Sequence, residues 1–170
     1  MARPTTFRPI ASSIAPSIAI AAFAGLLAGC GGDAPEAETD LTSPLIDERH
    51  ENFESIGDAF KAIRGQLESG EPDYAVILSN AEDINQRAGN IEAHFAEETA
   101  REDGYDTEAL AAIWQKPEEF AAATVKLQET SAALVEAAGT EEMATVGAAV
   151  KEMGGACKNC HDQFRYDDEK

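Results

Sequence analysis

Seven residues spaced by threes and fours, Met143, Val146, Val150, Met153, Cys157, Cys160 and Phe164, form one apolar helical stripe near the end of the chain. Two of them belong to the pentapeptide Cys157-Lys158-Asn159-Cys160-His161. C-x-x-C-H is the attachment signature of a c-type haem, in which two thioethers hold one edge of the porphyrin. On a helix, cysteines three apart share a face, so both sulfurs reach the same side of a flat macrocycle. His161, about 100° further round, is the candidate axial ligand to the iron. Because the cysteines lie on the apolar stripe, a single covalent haem must sit inside the fold. A structural zinc site would need four ligands, and a thioredoxin-like pair would need a βαβ context. The only other cysteine is Cys30, far away at the N-terminus.

The remaining stripes say what surrounds the haem. Ile46, Arg49, Phe53, Ile56, Phe60, Ile63 and Leu67 step 3-4-3-4-3-4 until Gly70 and Pro72. Ile77, Ala81, Ile84, Ala88, Ile91 and Phe95 form a second stripe that fades before Gly104. Phe120, Thr124, Leu127, Ser131, Leu134 and Ala138 form a third, opened by Pro117-Glu118-Glu119 and ended by Gly139. Thr140-Glu141-Glu142 precedes the fourth. No alternating β-branched run reads as a strand. Four helices of similar length with two short turns predict an all-α, up-down-up-down antiparallel four-helix bundle, with the haem on its last helix. The seven-residue repeat favours the shallow left-handed crossing of such bundles. The Ala-rich second helix suits close helix approach or a dimer face, and the sequence does not choose.

The N-terminus reads as an export signal. Arg3 and Arg8 precede an Ala/Ile/Leu-rich segment from Ile10 to Leu27, and Leu27-Ala28-Gly29-Cys30 closes it. That ending resembles a bacterial lipobox, which implies cleavage before Cys30 and its lipidation. Residues 1–29 are thus expected to be a signal peptide and 30–44 an acidic, flexible tether. The bundle is expected over 45–166, with 167–170 a short tail. Gly31 to Ser43 is poor in apolar residues, and thirteen such residues span roughly 20 Å as a coil. Haem attachment and export agree on the periplasmic side of a bacterial membrane, reached only through the lipid.

Charge limits the partners. Lys and Arg number 13 against 32 Asp and Glu, a formal charge of −19, which argues against nucleic acid or an anionic bilayer as a direct surface partner. Arg49 is the odd member of the first stripe. A buried guanidinium needs an anion, and a haem propionate suits its fork; near the helix end it could also snorkel to water. Opposite His161, no methionine is within reach. Met143 and Met153 lie on its own helix, about 27 and 12 Å away along the axis. His50 and His94 stand one position off their stripes, and Phe53 stands on its stripe, four residues after Arg49. Phe53 cannot bind iron, so as a distal cap it leaves a crowded, dry open side.

The segment Gly154 to Arg165, together with Ile113-Trp114, Phe120 and Ile46-x-x-Arg49-x-x-x-Phe53-x-x-x-Gly57, resembles the cytochrome c′ family over residues 45 to 166. The resemblance implies a four-helix bundle with one high-spin, five-coordinate haem, often dimeric, whose apolar distal pocket admits NO or CO and disfavours O₂. It implies that Cys157 and Cys160 attach the haem, that His161 is the proximal ligand, and that Arg49 lies near a propionate. It also puts Arg165 close to the proximal face and Phe53 at the distal position. Low-spin relatives of the same fold carry a ligating methionine there and act as electron carriers. The function expected is binding of NO or CO with one-electron transfer to an unidentified redox protein. The alternative is a dedicated low-spin electron carrier. An enzyme such as a peroxidase is disfavoured, because no acid/base constellation converges in the sequence.

Overall fold

The computed structural model describes residues 41–167. Cys30, the signal read over 1–29, most of the tether and residues 168–170 lie outside the described residues.

Helix α1 runs from Pro44 to Glu68. Ser43 is its N-cap, in an extended conformation, with Oγ accepting from Leu45 N at 3.3 Å, and Pro44 takes the first helical position. Leu41, within the stretch expected to be a flexible tether, pairs with Tyr105 in an isolated bridge. Gly70, with φ of 77°, makes the turn that a side chain would strain. Asp73 then caps α2 (Tyr74–Ala88), its carboxylate accepting from Ala75 N at 3.0 Å.

Helix α2 is shorter than its stripe suggests. It stops at Ala88 with Gly89 as C-cap, and the chain continues as a 3₁₀ turn over Glu92–Phe95. Ile91 and Phe95 still face inward, so the apolar spacing runs straight through the break. A second 3₁₀ turn, Arg101–Asp103, and the single-turn helix α3 (Ala112–Gln115) complete the connection. Helices α4 (Pro117–Ala138) and α5 (Met143–Phe164) follow, separated by a tight turn in which Glu141 adopts φ of 54°. Glu142, the last residue of the Thr140-Glu141-Glu142 triplet, is the N-cap of α5; Thr140 Oγ1 accepts from Glu142 N at 3.3 Å. Met143 is exposed, so the buried part of the last stripe begins at Val146.

The core is the sum of the stripes: Ile63, Ile77, Ala81, Ile84, Leu134, Val146 and Met153 are all fully buried. Ala81 and Ala88 of α2 lie inside the core, which assigns these alanines to close packing within the bundle. Helix α4 packs on α2 and α5, and α1 packs on α2, whereas α1 and α5 touch only sparsely. The bundle is therefore open between its first and last helices, and the candidate site lies there. Among the described residues no helix is long and apolar enough to cross a membrane.

Candidate functional site

A cavity of about 930 Å³ lies between α1 and α5 and is closed on one side by the 101–113 connection. It is at the upper end of the range for small-molecule and cofactor pockets. Arg49, Phe53, Cys157, Cys160, His161 and Arg165 all line it, so six side chains read from distant parts of the sequence converge. His50 also lines it but is exposed, its Nε2 3.4 Å from Glu54 Oε1 one turn along. His94 does not. It sits beside Asn52 and Arg87 in a smaller surface recess of about 250 Å³, and its buried Nδ1 has no hydrogen-bond partner among the described residues.

Cys157 and Cys160 are free, half-buried thiols. Burial raises both thiol pKa values, and the neighbouring Cys157 adds to the effect on Cys160, which reaches about 11. Both are therefore protonated at neutral pH. His161 is open to the cavity, yet the surrounding protein desolvates its charged form. Burial and then Arg165 lower its pKa, with Glu108 and Asp162 opposing. The imidazole is thus held neutral, the form that offers a lone pair to a metal.

Arg49 does not snorkel: it is 5 % exposed. Both its terminal nitrogens donate to Thr99 Oγ1 at 3.4 Å, Nη2 donates to Thr107 Oγ1 at 3.0 Å, and the guanidinium lies 4.5 Å from the Phe95 ring centroid. Burial lowers its pKa without releasing its charge. None of the described acidic residues pairs with it, so a buried cation faces the cavity with neutral partners only. Phe53 opens a run of edge-on rings. Its centroid is 6.4 Å from Phe95, Phe95 is 5.0 Å from Phe120, and Phe120 is 5.4 Å from Phe164. Trp114 leans on Phe95 at 6.1 Å and donates from Nε1 to its carbonyl at 3.0 Å.

Arg165 caps the C-terminus of α5 and is bound to the connection. Its Nε donates to Glu108 Oε2 at 2.7 Å, an ion pair that lowers the Glu108 pKa. Leu110 N donates to Phe164 O at 3.0 Å and Tyr166 N to Glu108 O at 2.7 Å, so the connection is stitched to the helix that carries Cys160 and His161. Sequence reasoning missed this wall, because its partners lie 50 or more residues apart and no periodicity marks them. The only signal was polar: the threonines at 99 and 107 in a segment without a stripe.

The donor set fits a haem. Two thiols on one helical face, a neutral imidazole next to them, an apolar floor of Ile56, Phe120 and Leu127 and a buried cation lacking an anion match its thioethers, iron, ring and carboxylates in turn. Fold and site together define a helical-bundle haem protein of the c type. A family model described as Cytochrome C′ matches residues 44–165, and the chain belongs to that family. Its cofactor is one covalent c-type haem, and members act in electron transfer or gas binding rather than as classical enzymes. The chain is 35 % identical to cytochrome c′ of Pararhodospirillum photometricum, over 71 % of this chain and 94 % of that one. It is 30 % identical to cytochrome c-554 of Cereibacter sphaeroides, over 73 % and 82 %. The crystal structure of cytochrome c′ from Rubrivivax gelatinosus aligns with a TM-score of 0.64 at 31 % identity, covering 71 % of this chain and 94 % of that one.

Proposed function

We propose that this chain is a membrane-tethered periplasmic cytochrome in which His161 is the only protein ligand to the iron and NO or CO binds on the opposite side. The observation that carries the reading is the composition of the cavity wall. No described methionine lines it: Met153 is fully buried in the core and Met143 is exposed on the surface. Helix α1 presents Phe53 instead.

When bound, the haem supplies an iron that can take a diatomic ligand or one electron. The protein residues set the conditions. Cys157 and Cys160 fix the group to α5, and Arg49 takes a propionate carboxylate. His161 is kept neutral by burial and Arg165, with its lone pair available. Phe53 and Phe95 keep water from the distal side and leave room only for a small apolar ligand. Arg165, held by Glu108, places a cation on the proximal side. Homodimerisation belongs to the same reading and is supported by the ligand-controlled dimer dissociation described for a solved relative.

An absorption spectrum of the reduced protein tests the ligation. A broad high-spin Soret band that moves on adding CO is expected. Sharp low-spin α and β bands that ignore CO would replace this reading with a dedicated electron carrier. The tether rests on Leu27-Ala28-Gly29-Cys30 and has its own check. Cys30→Ser is expected to move the protein from the membrane to the soluble periplasmic fraction, and a native protein found soluble removes the lipid from the proposal.

A further inference from the structure

The polar wall of the cavity contains more unmet hydrogen-bonding capacity than Arg49 alone. Thr107 Oγ1 accepts from Arg49 Nη2 at 3.0 Å and from Ala109 N at 3.2 Å. A hydroxyl oxygen has two lone pairs, and both are taken, so Thr107 can make a further hydrogen bond only by donating. No described residue accepts that proton, and Thr107 lines the cavity. Its backbone carbonyl also accepts from Arg101 Nη1 at 3.4 Å. Arg101 lines the same wall, its guanidinium 4.0 Å from the Tyr166 ring centroid, and no described carboxylate is within ion-pair distance of it. One threonine thus ties together two arginines that face the cavity without a protein anion, one of them buried and one exposed.

We infer that Thr107 and Arg101 complete, with Arg49, a cradle for the two carboxylates of the cofactor. The Thr107 hydroxyl donates to the carboxylate that Arg49 holds, and Arg101 meets the second at the solvent edge. The inference rests on the Arg49–propionate reading above and extends it to residues that neither a stripe nor a motif singles out. The chemistry suits the residues. A carboxylate oxygen accepts several hydrogen bonds, and charge-assisted donors in a buried site are stronger than neutral ones. Thr107 also acts as a positioning residue, because it fixes Nη2 of Arg49 by its side chain and Nη1 of Arg101 by its backbone. An exposed Arg101 contributes a field that salt screens, whereas the buried Arg49 is largely protected from it.

The test is the midpoint potential of the holoprotein at fixed pH, with the resonance Raman band of the propionate side chains as a second readout. Removing a donor or cation from a carboxylate near the iron favours the oxidised state, so the potential falls. Thr107→Val is expected to lower the potential and shift the propionate band, and Thr107→Ser to restore both. Arg101→Gln is expected to lower the potential at about 0.01 M salt and to match the native protein at about 1 M, where the Debye length shrinks from about 30 to 3 Å. Equal shifts in Thr107→Val and Thr107→Ser would trace the effect to loop packing and overturn the role of the hydroxyl. Arg49→Gln separates the two levels of the argument. If it changes neither readout, the propionate reading itself is wrong. If it moves both while Thr107→Val and Arg101→Gln stay native, only the cradle is wrong.

Discussion

The double substitution Cys157→Ser with Cys160→Ser is expected to abolish covalent haem. A haem stain of the denatured chain should be blank, whereas either single variant should retain some stain through one thioether. The two thiols lie three residues apart on the inner face of α5, and no other described residue is a thiol. Serine cannot substitute chemically. It also places a hydroxyl in a wall where burial already drives the Cys160 thiol to about 11. The consequence extends to stability, because α1 and α5 touch only sparsely and their facing side chains, Ile56, Phe60 and Phe164 among them, line the cavity instead. With the cofactor gone these groups lose their packing partner. The loss should be comparable to deleting more than one large core side chain, each worth about 3–5 kcal/mol. A thermal melt of the double variant should be much lower and broader than that of the native protein. A blank stain with an unchanged melt would mean that the bundle does not depend on its cofactor for packing.

Some of this architecture is written in the chain as periodicity. Every member of the third stripe, from Phe120 to Ala138, is buried, because a seven-residue repeat leaves a helix only one face to hide. The C-x-x-C-H motif and Arg49 were legible for chemical reasons: a covalent attachment needs fixed residue types, and a cation among apolar positions demands an explanation. The break after Ala88 was hidden because Ile91, just before the 3₁₀ turn, and Phe95, at its end, keep inward directions, so the spacing continues while the helix does not. His50 and His94 looked equivalent in sequence, each one step off a stripe. That break sends His94 to a separate recess, while His50 stays on α1 at the cavity edge. The polar wall was invisible for another reason. Thr99, Thr107 and Glu108 acquire meaning only when the connection folds back onto Arg49 and Arg165, and contacts over that sequence distance leave no local pattern.

Phe53 is where the proposed chemistry is most exposed to refutation, since opposite outcomes are expected from two substitutions at one position. Phe53→Ala removes a half-buried ring that lines the cavity and sets the first edge-on contact of the aromatic run, 6.4 Å from Phe95. Its stability cost should fall below the about 3–5 kcal/mol of a fully buried Phe→Ala change. The pocket beside it becomes larger while His161, Cys157 and Cys160 on α5 are untouched. CO association is expected to rise by about tenfold or more, equivalent to about 1.4 kcal/mol of barrier. Phe53→Met puts a thioether, a competent axial ligand, on the wall that helix α1 presents to the cavity. That variant is expected to show sharp low-spin bands and to bind CO slowly, because the sulfur must first leave. Stopped-flow CO binding and the reduced spectrum, measured on both variants, check the pair. If both variants bind CO at the native rate and keep the native spectrum, Phe53 is a packing residue and the ligand enters against another wall. If alanine accelerates and methionine blocks, the same side chain that seals the bundle between α1 and the 3₁₀ turn also sets which molecules reach the iron.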